Sequence, residues 1–304
     1  MEVLNSIRSD PKLLFRALRD PTLIGLGLNR TYHEYTQKGA VYNGEGTDIV
    51  TDEDWDNLIV LDACRDDVYR ELTPFGGSVE TRQSRGSASK QWVRGNFDGK
   101  TLHDTVAISG NQWYLDLREE LECELHAYHD VERDAANGFV PSPEAVTKTA
   151  MEQKDNYPNK RLLIHYMQPH HPYLRTDVEG FRLVRKGLRG YVRASDVTVE
   201  KVRAAYRDNL RYALEHVERL VEALDGKTVI TADHGEMLGE RLSPLPVRWF
   251  GHPPGIYTEQ LVCVPWHVVS NESRRTITSD PPEENRPGTD RATVKENLKD
   301  LGYM

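Results

Sequence analysis

Two apolar runs in this chain each end in an acid, and the second acid is followed at once by an imidazole. Residues 57–61 (NLIVL) run into Asp62, and residues 227–232 (KTVITA) run into Asp233 and His234. Two carboxylates and an imidazole form a donor set for a divalent metal ion. They can converge if the runs are strands of an open α/β sheet, where ligands sit beyond the carboxyl ends of the strands. The competing reading is that each acid only caps the helix after its strand. Two further segments bring imidazoles to the same kind of place. Residues 168–173 (QPHHPY) set His170 and His171 between prolines, which stiffen the backbone and disfavour helix before them. Gly251-His252 precedes the apolar run 261–266 (LVCVPW). His165, inside the apolar run 161–165 (RLLIH), reads as a core histidine.

The elements that must position these groups alternate between strand and helix patterns. Four short apolar runs, 57–61, 105–109 (TVAIS), 161–165 and 228–231, are buried-strand candidates. Between the last two, Val202, Tyr206, Leu210, Ala213, Val217, Leu220 and Leu224 recur at steps of three and four. That spacing predicts a long amphipathic helix, leading through Asp225-Gly226 into the last run. The alternation predicts an α/β fold, and no internal repeat interrupts it.

At 304 residues the chain is long enough for one catalytic domain with appendages, and 38% hydrophobic residues suffice for a packed core. The expected division is an N-terminal helical appendage over 1–50, a catalytic domain over 51–270, and an exposed linker with a final helix over 271–304. A net charge of −9 argues against a nucleic-acid partner, which requires clustered Lys and Arg. Cys64, Cys123 and Cys263 are widely spaced and odd in number, so a reducing, cytoplasmic compartment is expected. No apolar run approaches the ~20 residues of a membrane span. Residues 1–30 place Leu4, Ile7, Leu14, Phe15 and Leu18 on one side and Arg8, Lys12, Arg16 and Arg19 elsewhere. This pattern suits a helix packed on its own domain, or one making peripheral contact with an acidic membrane surface.

In order along the chain, NLIVLDACRDD (57–67), QPHHPY (168–173), TVITADHGEMLGE (228–240), GH (251–252) and LVCVPW (261–266) resemble the sulfatase branch of the alkaline phosphatase superfamily. The resemblance covers roughly residues 55–267, and the tail LKDLGYM (298–304) also resembles the ending of many such chains. It implies a large mixed, mostly parallel central sheet sandwiched between helices, with one divalent metal ion (Mn, Zn, Mg or Ca) at the strand ends. Asp62, Asp233 and His234 match the metal ligands. His170 matches a histidine that contacts substrate or leaving group, with His171 its close competitor. His252 falls where the family places a Lys or His on the nonbridging ester oxygens.

The family also requires a nucleophile at a helix N-terminus, which falls here in residues 78–97 (SVETRQSRGSASKQWVRGNF). Ser84, Ser87 and Ser89 are all candidates. Ser89 stands best, because a helix pattern begins at Lys90 and free backbone N–H groups there favour an attacking anion and its phosphate. Ser89 would then also touch the metal, and Ser87 would cap the helix or act as nucleophile itself. A plain serine-rich turn is the bland alternative. Asn111 and Lys90 are further candidates for contact with ester oxygens. No cysteine lies in a C-x-P-S-R context, so the formylglycine of authentic sulfatases is not expected, and phosphate esters are favoured over sulfate esters. The expected activity is metal-dependent hydrolysis of a small-molecule, glycan or lipid ester. Transfer of a phospho-alcohol group to a second acceptor, and a catalytically dead binding homologue, are the alternatives.

Overall fold

The computed structural model describes residues 20–37, 41–117, 120–134, 140–178, 187–270 and 273–282. In chain order the helices are α1 (Thr22–Thr36), α2 (Asp66–Leu72), α3 (Ser89–Phe97), α4 (Trp113–Asp116), α5 (Pro143–Asn156), α6 (Gly187–Ala194), α7 (Val199–Ala223) and α8 (Glu259–Val262). The strands are β1 (Asn57–Leu61), β2 (Val79–Gln83), β3 (Thr101–Ser109), β4 (Glu124–Asp130), β5 (Arg161–Tyr166), β6 (Thr228–Ala232), β7 (Met237–Arg241), β8 (Arg248–Gly251) and β9 (Cys263–Ser270).

Seven strands form one sheet in the order β2-β9-β6-β1-β5-β3-β4. Neighbours from β6 to β4 run parallel, whereas β9 is antiparallel to both β6 and β2. This is the mixed, mostly parallel sheet expected. Because β1 has helices over both faces, all five of its residues are apolar or buried. Alternate side chains enter opposite cores. Ile59 and Leu61 pack with Leu162, Ile164 and the apolar face of α7, while Leu58 and Val60 pack with Trp55, Trp92 and Trp113. The long helix read from the spacing of Val202 to Leu224 is α7, started by Thr198, whose hydroxyl accepts from Lys201 N–H.

The run LVCVPW does not form a strand throughout. Residues 259–262 close a helical turn, and β9 starts only at Cys263. Pro265, which has no N–H to donate, pairs in register with Thr81 of β2, and pairing with β6 begins one residue later at Trp266. A separate hairpin-like pair, β7 and β8, packs with α1 around Leu26, Met237, Trp249 and Leu261. α1 is tied there by Asn29, which bonds the Leu245 carbonyl, and by Arg30, which bonds that of Pro254.

Residues 1–19 and the expected final helix lie outside the described residues. Of the stretch read as a linker, 273–282 is described and is anchored. Arg274 pairs with Asp54 and Asp56, and Lys160 pairs with Asp280.

Candidate active site

Parallel pairing brings the two strand-end acids together. Leu61 of β1 is in register with Ala232 of β6, so Asp62 and Asp233 emerge side by side. Both are fully buried, as is His234. Ser89, the first residue of α3, completes the group. Its Oγ lies 2.7 Å from Asp233 Oδ2, 3.2 Å from Asp62 Oδ2 and 3.3 Å from His234 Nε2. His234 Nε2 is in turn 3.4 Å from Asp233 Oδ2 and 3.8 Å from Asp62 Oδ1. Four donors held about 2.0–2.2 Å from one tetrahedral ion lie ~3.3–3.6 Å from each other, so this set fits a divalent metal. Burial without such an ion would leave two carboxylates facing one another at high cost.

Local bonds fix the donors. Ala63 N–H donates to Asp233 Oδ1 at 3.0 Å, and Asn111 Nδ2 donates to Asp62 Oδ2 at 2.9 Å. Asn111 thus touches a strand-end carboxylate. His234 Nδ1 faces the Gly235 carbonyl at 2.8 Å, which orients the ring with Nε2 inward. Burial pushes the His234 imidazole down to about 4, so it is neutral and free to act as a ligand at neutral pH. For Asp233, burial works to raise the carboxyl, but His234, His165, Ser89 Oγ and Ala63 N–H prevail and hold it below its usual range.

A second cluster lies alongside. The His170 ring lies tilted against His171 with centroids 4.1 Å apart and against His252 at 4.9 Å, and His252 reaches His234 at 4.4 Å. His252 Nδ1 donates to Glu236 Oε1 at 3.1 Å. The backbone N–H of His170 donates to the Asp62 carbonyl, so the loop after β5 that carries His170 and His171 is tied to the end of β1. Burial and the adjacent His171, His252 and His234 hold His170 well below 6.5. Among the described residues, two groups have ligand atoms close enough to hold an ion: Asp62, His165 and Asp233, and His170, Glu236 and His252.

Several expectations change. His165 is buried, but it is not a plain core residue. Its Nε2 lies 3.9 Å from Asp62 Oδ2 and 3.8 Å from Asp233 Oδ2, while Tyr114 Oη holds its Nδ1. Glu236, present in the DHGE run but given no role above, faces His252. Ser87 does not cap α3, whose N-cap is Ala88 with no side-chain bond. Its hydroxyl instead has Gln91 Oε1 and the Pro253 carbonyl as acceptors for its one proton and accepts from Gly255 N–H, stapling the loop after His252. Ser84 donates its hydroxyl to the backbone carbonyl of Asp233. Lys90 is exposed, its Nζ 4.8 Å from the Trp113 ring centroid. The register that brings His165 beside Asp62, Val60 opposite His165, is a long-range pairing that no local pattern displays.

No family model matches the sequence, and no curated protein does. Solved structures do. The C-terminal periplasmic domain of phosphoethanolamine transferase EptC from Campylobacter jejuni is similar over 69% of this chain and 76% of its own, at 12% identity and a TM-score of 0.46. The soluble domain of lipooligosaccharide phosphoethanolamine transferase A from Neisseria meningitidis is similar over 69% and 74%, at 14% identity and a TM-score of 0.45. A 2-O GAG sulfatase is similar over 74% of this chain and 65% of its own, at 12% identity and a TM-score of 0.46. Phosphoethanolamine transferases and a sulfatase thus stand together among the structural neighbours. The periplasmic origin of the EptC domain overturns the cytoplasmic assignment. The three cysteines are unpaired, and unpaired cysteines do not by themselves distinguish one compartment from another. No helix among the described residues is long and apolar enough to cross a membrane.

Proposed function

We propose that this chain is a metal-dependent enzyme that cleaves a phosphate or sulfate ester, phosphate preferred, with Ser89 as nucleophile. The observation that carries the reading is the placement of Ser89 Oγ within 3.3 Å of Asp62, Asp233 and His234 at the first turn of a helix. Asp62, Asp233, His234 and Ser89 would hold one divalent ion, which supplies a lowered hydroxyl pKa and draws charge from the transferred group.

The residues of the chain do the rest. Ser89 Oγ attacks phosphorus, forming one O–P bond as the bond to the departing alcohol breaks, and Asp233 Oδ2 faces the hydroxyl proton at 2.7 Å. Free N–H groups at the start of α3 and the Asn111 side chain lie where oxygens of the bound ester gather. His170 is neutral in the free protein, so it enters as a hydrogen-bond donor. An anionic ester raises its pKa, so that it takes up a proton from solvent and passes it to the leaving oxygen, with His171 beside it. His252, oriented by Glu236, contacts the nonbridging oxygens. Water then attacks the phosphoserine and restores Ser89.

A second reading replaces water by the hydroxyl of a lipid or glycan acceptor. The exposed row Ile24, Leu28, Tyr32 and Tyr35 on α1 favours it, because α1 packs on the segment that follows His252 and offers an apolar face to a lipid-bearing acceptor. Rapid acid quenching of a reaction with an aryl phosphate, followed by peptide mass spectrometry, tests the shared first step. The phosphoryl group is expected on Ser89. Its appearance on Ser84 or Ser87 would move the nucleophile, and full turnover by Ser89→Ala would remove it from the reaction.

A further inference from the structure

Helix α7 carries two buried polar side chains one turn apart, Tyr206 and Asn209, and each grips a different loop of the site. Residues three apart on a helix share a face, so both reach toward the strand ends from one rigid element. Both are fully buried. Tyr206 Oη donates to the Ala63 carbonyl at 2.7 Å and accepts from Arg65 N–H at 2.9 Å. It therefore brackets the turn that follows Asp62. That turn needs bracketing, because Ala63 has a φ of 59°, the only positive φ at a non-glycine among the described residues. A side chain in this left-handed region is strained. The strain places Ala63 N–H on Asp233 Oδ1, which ties the two strand-end acids together.

Asn209 works on the other loop. Its Nδ2 donates to the carbonyls of Pro169 and His170 at 3.1 and 3.2 Å, and its Oδ1 accepts from Leu174 N–H at 3.0 Å. These three bonds close the loop on which His170 and His171 sit. A buried Asn with three backbone bonds satisfies most of its capacity in this one task.

We propose that Tyr206 and Asn209 are separate positioning residues: Tyr206 sets the carboxylates that receive the metal, and Asn209 sets the imidazoles that receive the substrate. The proposal rests on the metal reading above, and it assigns different losses to two neighbouring side chains on one helix. A purely structural role would lower stability in both variants without dividing their effects.

The test uses the full chain carrying Tyr206→Phe, Asn209→Asp or the double change Tyr206→Phe with Ala63→Gly, with Zn²⁺ affinity measured by competition against a chromophoric chelator. Tyr166→Phe serves as control, since it removes another buried hydroxyl contact, to Thr147. Tyr206→Phe is expected to weaken Zn²⁺ binding by about 10-fold or more, the usual scale for a lost orienting bond behind a ligand. Adding Ala63→Gly should recover most of that loss, because glycine holds the turn without strain. Asn209→Asp and Tyr166→Phe should stay within about twofold of wild type in Zn²⁺ affinity, while Asn209→Asp lowers kcat on an aryl phosphate about 10-fold. Equal Zn²⁺ affinity in Tyr206→Phe and wild type, no recovery with Ala63→Gly, or equal metal loss in both single variants would overturn the proposal. If the wild type bound no ion, the metal reading would fail on its own. The clamps would then be read by amide exchange in the metal-free chain: Arg65 in Tyr206→Phe and His170 in Asn209→Asp should exchange faster than in wild type, and unchanged rates would overturn them.

Discussion

The two halves of the site are built differently. Asp62, Asp233 and His234 leave adjacent parallel strands, and the register between Leu61 and Ala232 makes the acids neighbours. His170, His171, His252 and Glu236 come from loops, joined by ring contacts and by a bond between His252 and Glu236. The first half concentrates negative charge and one hydroxyl, which suits a cation. In the second, three imidazoles crowd together around one carboxylate, and burial disfavours protonation of His170, which suits an anionic oxygen once it arrives. The ends of two central strands thus hold the acids in place, while contacts between loops hold the imidazoles.

Removing imidazoles of the loop half should divide the two functions. His170→Ala and His252→Ala are each expected to lower turnover by ~10²-fold or more, on the scale of a lost proton donor or charge-stabilising contact, with metal content near that of wild type. Metal analysis alongside steady-state kinetics checks both. If His252→Ala releases a second equivalent of ion, the His170, Glu236 and His252 group is itself a metal site and the contrast drawn here fails.

The strand-end half can be probed through protons. Burial holds His165 and His234 each at about 4, against 6.5 for a free imidazole. Between these values the unfolded chain binds more protons than the folded one, so the stability of the metal-free protein falls as pH drops from 6.5 toward 4. Thermal melts of metal-free protein across that window should show a steady decline, and His165→Gln should flatten it. A level profile in the wild type would mean that neither ring is held neutral by burial.

The smallest effect concerns the loop behind His252. Ser87→Ala removes the hydroxyl that bonds Gln91, Pro253 and Gly255. A loss of about 1–3 kcal/mol in unfolding free energy, with turnover still measurable, is expected from unpaired buried groups. Chemical denaturation checks the stability. Loss of all turnover in a folded Ser87→Ala would instead place this hydroxyl in the reaction.

What could be read from the sequence follows the same division. β1 and β6 were legible as apolar runs because central parallel strands are buried on both faces, and their terminal acids stood out for that reason. The amphipathic spacing of α7 was equally plain, and Ser89 was recognisable at a helix start. Position in the sheet was not legible. His165 looked like core because the run around it is apolar, yet strand order and register set it beside Asp62 and Asp233. Ser87 looked like a cap because its true partners, Pro253 and Gly255, are remote in sequence. The strand start at Cys263 was hidden because residues 261 and 262, apolar like those after them, close a helical turn. Tyr206 fitted the apolar stripe of α7, and only the tertiary fold reveals that its hydroxyl brackets Ala63 and Arg65.

The central claim is that Asp62, Asp233, His234 and Ser89 receive one divalent ion, and elemental analysis of purified wild type and Asp233→Asn measures it most directly. Wild type should carry close to one equivalent of ion per chain. Asp233→Asn should carry essentially none while keeping its fold by circular dichroism, since it loses a charged donor without losing volume. Equal ion content in the two proteins, or a wild type that takes up no Mn, Zn, Mg or Ca when each is supplied, would contradict the account.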